Sequence, residues 1–207
     1  MNETIETNIL SKPFNREDIK NLLINHFLPE NFEINESRIS IDDIGKFEKI
    51  DEVSYIGKSD NPEINLLFIK HKGINDPRIT ITKETFKIVK AFRFKRSIIV
   101  YYSDNPKNYR ISLVTLDIER KGEKGTADVL SNPKRYSYFL GLDAKVKTPH
   151  INLVAKGRVK TDEDLKERFS VEVVTKEFYK ELANWYFWAV SNNDVIFPNS
   201  KPLPNFK

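Results

Sequence analysis

Apolar residues recur along this chain with two periods. Within residues 13–28, Ile19, Leu22, Leu23 and Phe27 fall at helical spacing, and acidic Glu17 and Asp18 stand early, where they complement the helix dipole. A helix is predicted there. Residues 47–57 mix charges with Ile50, Val53, Tyr55 and Ile56; Asp60-Asn61-Pro62 is a turn signal, and the apolar run 64–69 follows. Together these predict a hairpin. Across residues 82–94, Phe86, Val89 and Phe92 recur every third position, with a threonine as N-cap and Lys83, Lys87, Lys90 and Arg93 on other faces. This pattern predicts a second amphipathic helix.

Residues 97–102 and 109–118 are β-branched and aromatic runs joined by the turn Ser103-Asp104-Asn105-Pro106, and residues 39–41 suit a further short strand. Residues 119–125 read as a loop. A short helix is expected over 161–168 and a strong one over 175–191, where Phe178, Leu182, Trp185, Tyr186 and Ala189 form an apolar stripe. Beyond it, Pro198, Pro202 and Pro204 rule out a continued helix, so residues 192–207 read as a linker. The order helix, strand, strand, helix, strand, strand favours an α/β fold with helices packed on a sheet. The expected organisation is an α/β core over 1–118 and a mostly helical extension over 119–191.

Composition narrows the class. A chain of 207 residues suits one domain, and the absence of cysteine removes disulfides, thiolate metal sites and cysteine nucleophiles. Nowhere is there an apolar stretch of the roughly 18 residues that a membrane span needs, so a soluble, cytoplasmic protein is expected. The formal charge of +4 is unevenly spread: residues 1–65 carry 14 Asp/Glu against 7 Lys/Arg, and the remainder 16 against 27. Such asymmetry suggests an anionic partner, nucleic acid first. A lysine-rich composition with solvated helix faces produces the same numbers.

The motifs exclude several chemistries. His26, His71 and His150 are scattered and form no zinc-binding pair, no glycine-rich phosphate or dinucleotide loop exists, and no G-x-S-x-G elbow is present. Carboxylates and lysines on a small sheet remain. Alternation along the strand 64–70 places Phe68 and Lys70 on one face with Ile64 and Leu66. Phosphodiester hydrolysis commonly uses acids from adjacent strands to hold Mg²⁺ and a lysine beside them. Lys70 is the candidate catalytic lysine; Glu48, Asp51 or Glu52 of the preceding strand is the candidate acid, with Asp51 as the metal ligand and Glu63 or Glu84 as acids supplied from elsewhere.

These residues, in this order of elements, resemble the PD-(D/E)XK nuclease superfamily, whose core is a central mixed sheet flanked by helices. The resemblance puts Phe68-Ile69-Lys70 where an active enzyme has Glu or Asp, any residue, then Lys. A phenylalanine cannot ligate a hard cation. Asn132-Pro133-Lys134-Arg135-Tyr136-Ser137-Tyr138-Phe139-Leu140-Gly141, with Phe169-Ser170-Val171-Glu172 and Thr175-Lys176-Glu177-Phe178-Tyr179, is similar to the amino-terminal region of Type IIG restriction-modification proteins, which join nuclease and adenine methyltransferase. The resemblance implies double-stranded DNA as partner, Mg²⁺ as cofactor of an active form, and a methyltransferase domain in the same or a partner chain. Lys134 departs from the Asn-Pro-Pro-Tyr methyltransferase motif, so no methyl transfer is assigned here.

Two surfaces are candidates for DNA. Lys83, Lys87 and Lys90 form a basic ridge suited to the phosphate backbone, and Lys134 and Arg135 beside Tyr136 suit phosphate contact with base stacking. The rival reading is a non-catalytic interaction module that docks a partner protein through the aromatic helix around Trp185–Trp188.

Overall fold

The computed structural model describes residues 9–73, 81–121, 127–169 and 171–191. Helix α1 (Arg16–Leu22) starts where Asn15 accepts hydrogen bonds from the backbone N–H groups of Glu17 and Asp18 at 3.0 and 3.2 Å. It continues as a π-turn over Leu23–Phe27 and buries Ile19, Leu22, Leu23 and Phe27. Strands β1 (Glu33–Arg38), β2 (Ile50–Asp60) and β3 (Glu63–His71) form an antiparallel meander. Helix α2 (Thr82–Ala91) then crosses to β4 (Arg96–Tyr102), which runs parallel to β3. Strand β5 (Asn108–Thr115) follows, then a separate hairpin of β6 (Ile118–Lys121) and β7 (Ala127–Leu130), and β8 (Lys134–Gly141) returns to pair with β5. The sheet order is β1-β2-β3-β4-β5-β8.

Alternation divides the core in two. Ile64, Leu66 and Phe68 of β3 face a front cluster with α1, the π-turn Ile151–Ala155 that continues helix α3 (Lys147–His150), and helix α4 (Asp162–Phe169). Leu67 and Ile69 face a back cluster with Ile88 and Val89 of α2. Gly57 lets the edge strand approach, because a Cβ there would strike the Glu33 carbonyl of β1. A separate unit begins at Ser170 and holds helix α5 (Val171–Ser191). No helix among the described residues is long and apolar enough to cross a membrane.

The α/β class with a mixed sheet flanked by helices is as expected, and β2, β3, β4 and β5 share one sheet. Several expectations are corrected. The early short strand is β1 at Glu33–Arg38 and not 39–41; all six of its residues are exposed, so it shows no alternation to read. The threonine N-cap of α2 is replaced by Ile81, without a side-chain cap. The run 109–118 divides at Thr115, and the expected loop over 119–125 begins within β6. The extension expected to be mostly helical holds three helices among its described residues and also supplies β8, the sixth strand of the main sheet, where Tyr138 and Leu140 are buried on the front face. On α5, Ala189 is buried, whereas Leu182, Trp185 and Tyr186 of the predicted stripe are exposed. The expected linker 192–207 lies outside the described residues.

Candidate functional site

The site is built at the ends of β2, β3 and β4. Register shifts between Ile50 and Glu52, whose partners His71 and Lys70 are adjacent, so Asp51 is the extra residue of a bulge. The bulge turns Glu52 and Ser54 onto the front face, beside Lys70 and Phe68. Lys70 is in turn paired with Tyr102 of β4. Its ammonium lies 2.8 Å from Asp104, in the turn after β4, and 3.4 Å from Asp51. The hydrogen bond to Asp104 is the main reason the Lys70 pKa is held above the ordinary lysine value. Lys70 therefore stays protonated at neutral pH; it can neutralise an anion but cannot act as a general base.

Phe68 forms the floor. It is fully buried, with Phe14 at 6.3 Å and Tyr102 at 6.5 Å between ring centroids, and the Arg16 guanidinium lies over its ring at 4.9 Å. Arg16 also donates to the Tyr102 hydroxyl at 3.3 Å, and Phe14 stacks on Tyr102 at 4.5 Å. Burial pushes the Tyr102 phenol pKa up, with Arg16 pulling against it. Two carboxylates, Asp51 and Asp104, thus lie within 3.4 Å of the Lys70 ammonium, whereas Phe68, two residues before Lys70, presents a buried ring that offers a cation no oxygen. Among the described residues no group of three or more Asp, Glu or His is gathered closely enough to hold a metal ion.

The other candidate acids lie elsewhere. Glu48 sits in the turn before β2, where its backbone N–H donates to Glu84 at 2.8 Å; it forms no ion pair with Lys70. Glu84 is buried on α2, and its two oxygens accept from the N–H groups of Glu48, Lys49 and Ile50 at 2.8–3.2 Å. It clamps the chain ahead of the Asp51 bulge. Beside Asp51 and Glu52 opens a groove of about 900 Å³ whose wall also includes Arg38, Lys46, Phe47 and Lys72.

The predicted basic residues do not converge. The lysine ridge is on α2, the back layer, whereas Lys70 shares the front face with Phe68. Lys83 is exposed, Lys90 is half-buried, and Lys87 donates to the Lys46 carbonyl at 3.3 Å and sits over the Phe47 ring. On β8, alternation splits the Lys134–Tyr136 group. Lys134 is exposed, Tyr136 packs on the front core, and Arg135 turns to the back, where it stacks on Tyr101 at 4.3 Å and donates to Thr82 at 2.9 Å. Arg135 thus joins the sheet to α2. Sequence reasoning did not single out Arg16, Tyr102 or Asp104 for the site. Tyr102 and Asp104 are brought there by the β3–β4 register and Arg16 by the packing of α1 on the sheet, neither of which the sequence displays.

Compared with protein-family models, curated proteins and solved structures, the chain finds no match.

Proposed function

We propose that this protein is a nuclease-like, DNA-engaging domain whose charged centre does not cut DNA with Mg²⁺ by itself. The carrying observation is the order α1-β1-β2-β3-α2-β4, with Lys70 ending β3 beside Asp51 of the β2 bulge. This is the arrangement in which the PD-(D/E)XK resemblance has its meaning. Phe68 in the acid's place, packed beneath Arg16, supports binding without hydrolysis. The net positive charge of the chain beyond residue 65 supports a polyanionic partner. A role beside a methyltransferase, in the same or a partner chain, follows from the Type IIG resemblance and belongs to the same proposal.

Two measurements test it. A short duplex should bind with an affinity that falls steeply as salt rises, and plasmid incubated with Mg²⁺ should stay intact. Cleavage abolished by EDTA and by Lys70→Ala would overturn the non-cutting centre. Binding insensitive to salt would favour the second reading, a protein-docking module. That reading draws on α5, where Trp185, Tyr186, Phe187 and Trp188 are each more than half exposed.

A further inference from the structure

Next to the Lys70 cluster, the front face holds two guanidinium groups, those of Arg16 and Arg38. Register places Arg38 of β1 beside Ser54 of β2, and Ser54 beside Phe68 of β3, so the three share one face. Arg16 reaches the same row from α1, stacked over the Phe68 ring at 4.9 Å. Arg16, Arg38, Ser37 and Ser54 line a pocket of about 240 Å³ together with Glu36 and Tyr55. Glu36 pairs with Lys20 at 2.8 Å, an ammonium that it shares with Glu17, also at 2.8 Å. Among the described residues neither Arg16 nor Arg38 forms an ion pair.

We propose that this pocket binds a phosphate oxyanion, gripped between the guanidinium forks of Arg16 and Arg38. Arg16 is half-buried and its partners, the Tyr102 hydroxyl and the Phe68 ring, are both neutral, so an anion entering the pocket meets a charge that no carboxylate compensates. Its plane is set by the Phe68 ring and by one hydrogen bond to Tyr102 at 3.3 Å, which leaves other N–H donors free in a fixed orientation. Paired, planar donors match the oxygens of a phosphate better than a lysine does. The Ser54 hydroxyl donates to Glu52 at 3.3 Å, so the guanidinium groups and not Ser54 carry the anion. The volume suits one phosphate group; a drug-sized ligand needs about 300 Å³ or more. The phosphate is either part of a DNA backbone, in which case the proposal rests on the reading above, or free.

The test uses the 207-residue chain, following arginine Nε–Hε resonances during titration with inorganic phosphate and, separately, with a short duplex. Arg38→Gln, Arg38→Lys and, as a control cation, the exposed Lys145→Gln are compared with wild type. Phosphate should shift two arginine resonances saturably. Arg38→Gln should abolish that shift, weaken the duplex about tenfold, as expected when one charge-assisted hydrogen bond is removed, and flatten its salt slope by about one unit. Arg38→Lys should keep the slope but recover only part of the affinity, and Lys145→Gln should retain the phosphate shift.

Phosphate binding without duplex binding would sustain the pocket, assign it to free phosphate and overturn the DNA reading. Duplex binding unaltered in Arg38→Gln, with arginine resonances silent to phosphate, would overturn the pocket and leave the DNA reading intact. Arg38 is exposed on an edge strand, and should its variants not fold, the wild-type titration decides alone.

Discussion

Replacing Glu84 by alanine strips three consecutive backbone N–H groups, those of Glu48, Lys49 and Ile50, of their acceptor inside the protein. The expected loss is about 1.5–3 kcal/mol, seen as a lower urea midpoint at unchanged m-value. Glu84→Gln, which keeps an acceptor oxygen, should lose less. Asp164 makes a pH-dependent contribution. Burial pushes its carboxyl up, but hydrogen bonds from Arg168 and the Lys160 N–H outweigh that, and the folded pKa lies below the ordinary 3.8. A carboxylate depressed on folding stabilises above its unfolded pKa, and that contribution fades as pH falls through the folded one. Wild type should therefore exceed Asp164→Asn in stability at neutral pH, with the gap closing below 3.8 in pH-dependent urea titrations. Phe68→Glu should destabilise strongly, because it exchanges a fully buried ring for a charge, and added Mg²⁺ should not restore the melting temperature.

Strands β1 and β8 separate what pattern can reveal from what it cannot. Strand β3 was legible as a short apolar run bounded by a turn, and the period of two then places Phe68 and Lys70 on one face. Strand β1 is exposed at every residue, and Gly57 gives its backbone the room to close on β2. Gly57→Ala should force the Glu33 carbonyl away, costing about 1–3 kcal/mol, and release the strand that carries Arg38. Amide hydrogen exchange should show β1 opening before β3. The Lys134–Tyr136 triplet was legible as basic and aromatic, but strand alternation sends consecutive side chains to opposite faces, so no single surface holds all three. Lys134→Ala should leave the fold intact, whereas Arg135→Ala should lower the melting temperature by removing the stacking on Tyr101 and the hydrogen bond to Thr82.

Across the molecule, cations that meet phosphate differ from structural cations in their response to salt. Alanine at Lys83, Lys87 and Lys90 tests the back surface, and Arg38→Gln tests the front. Removing a cation that neutralises a phosphate should reduce the salt slope by about one unit without altering sequence preference. Because Lys70 and the Arg16–Arg38 row share the front face, the expectation is a change for Arg38→Gln and none for the lysine triple variant. Fluorescence anisotropy over a salt series on one duplex separates the two.

Local chemistry was sufficient for the elements whose burial follows a period: α1, α2, β3, β4 and the α/β class could be read from spacing, caps and turns. It also exposed the Phe68 departure and placed Lys70 at the end of an apolar face. The grouping of Lys70 with Asp104, Arg16 with Phe68 and Tyr102, and Arg38 with Ser54 depended on register across strands and on the Asp51 bulge. Those are contacts between residues many positions apart, and a one-residue shift in pairing would send each side chain to the other face. Only the folded sheet could select among those pairings, because the burial of both faces and the close approach at Gly57 act together and not along any one segment.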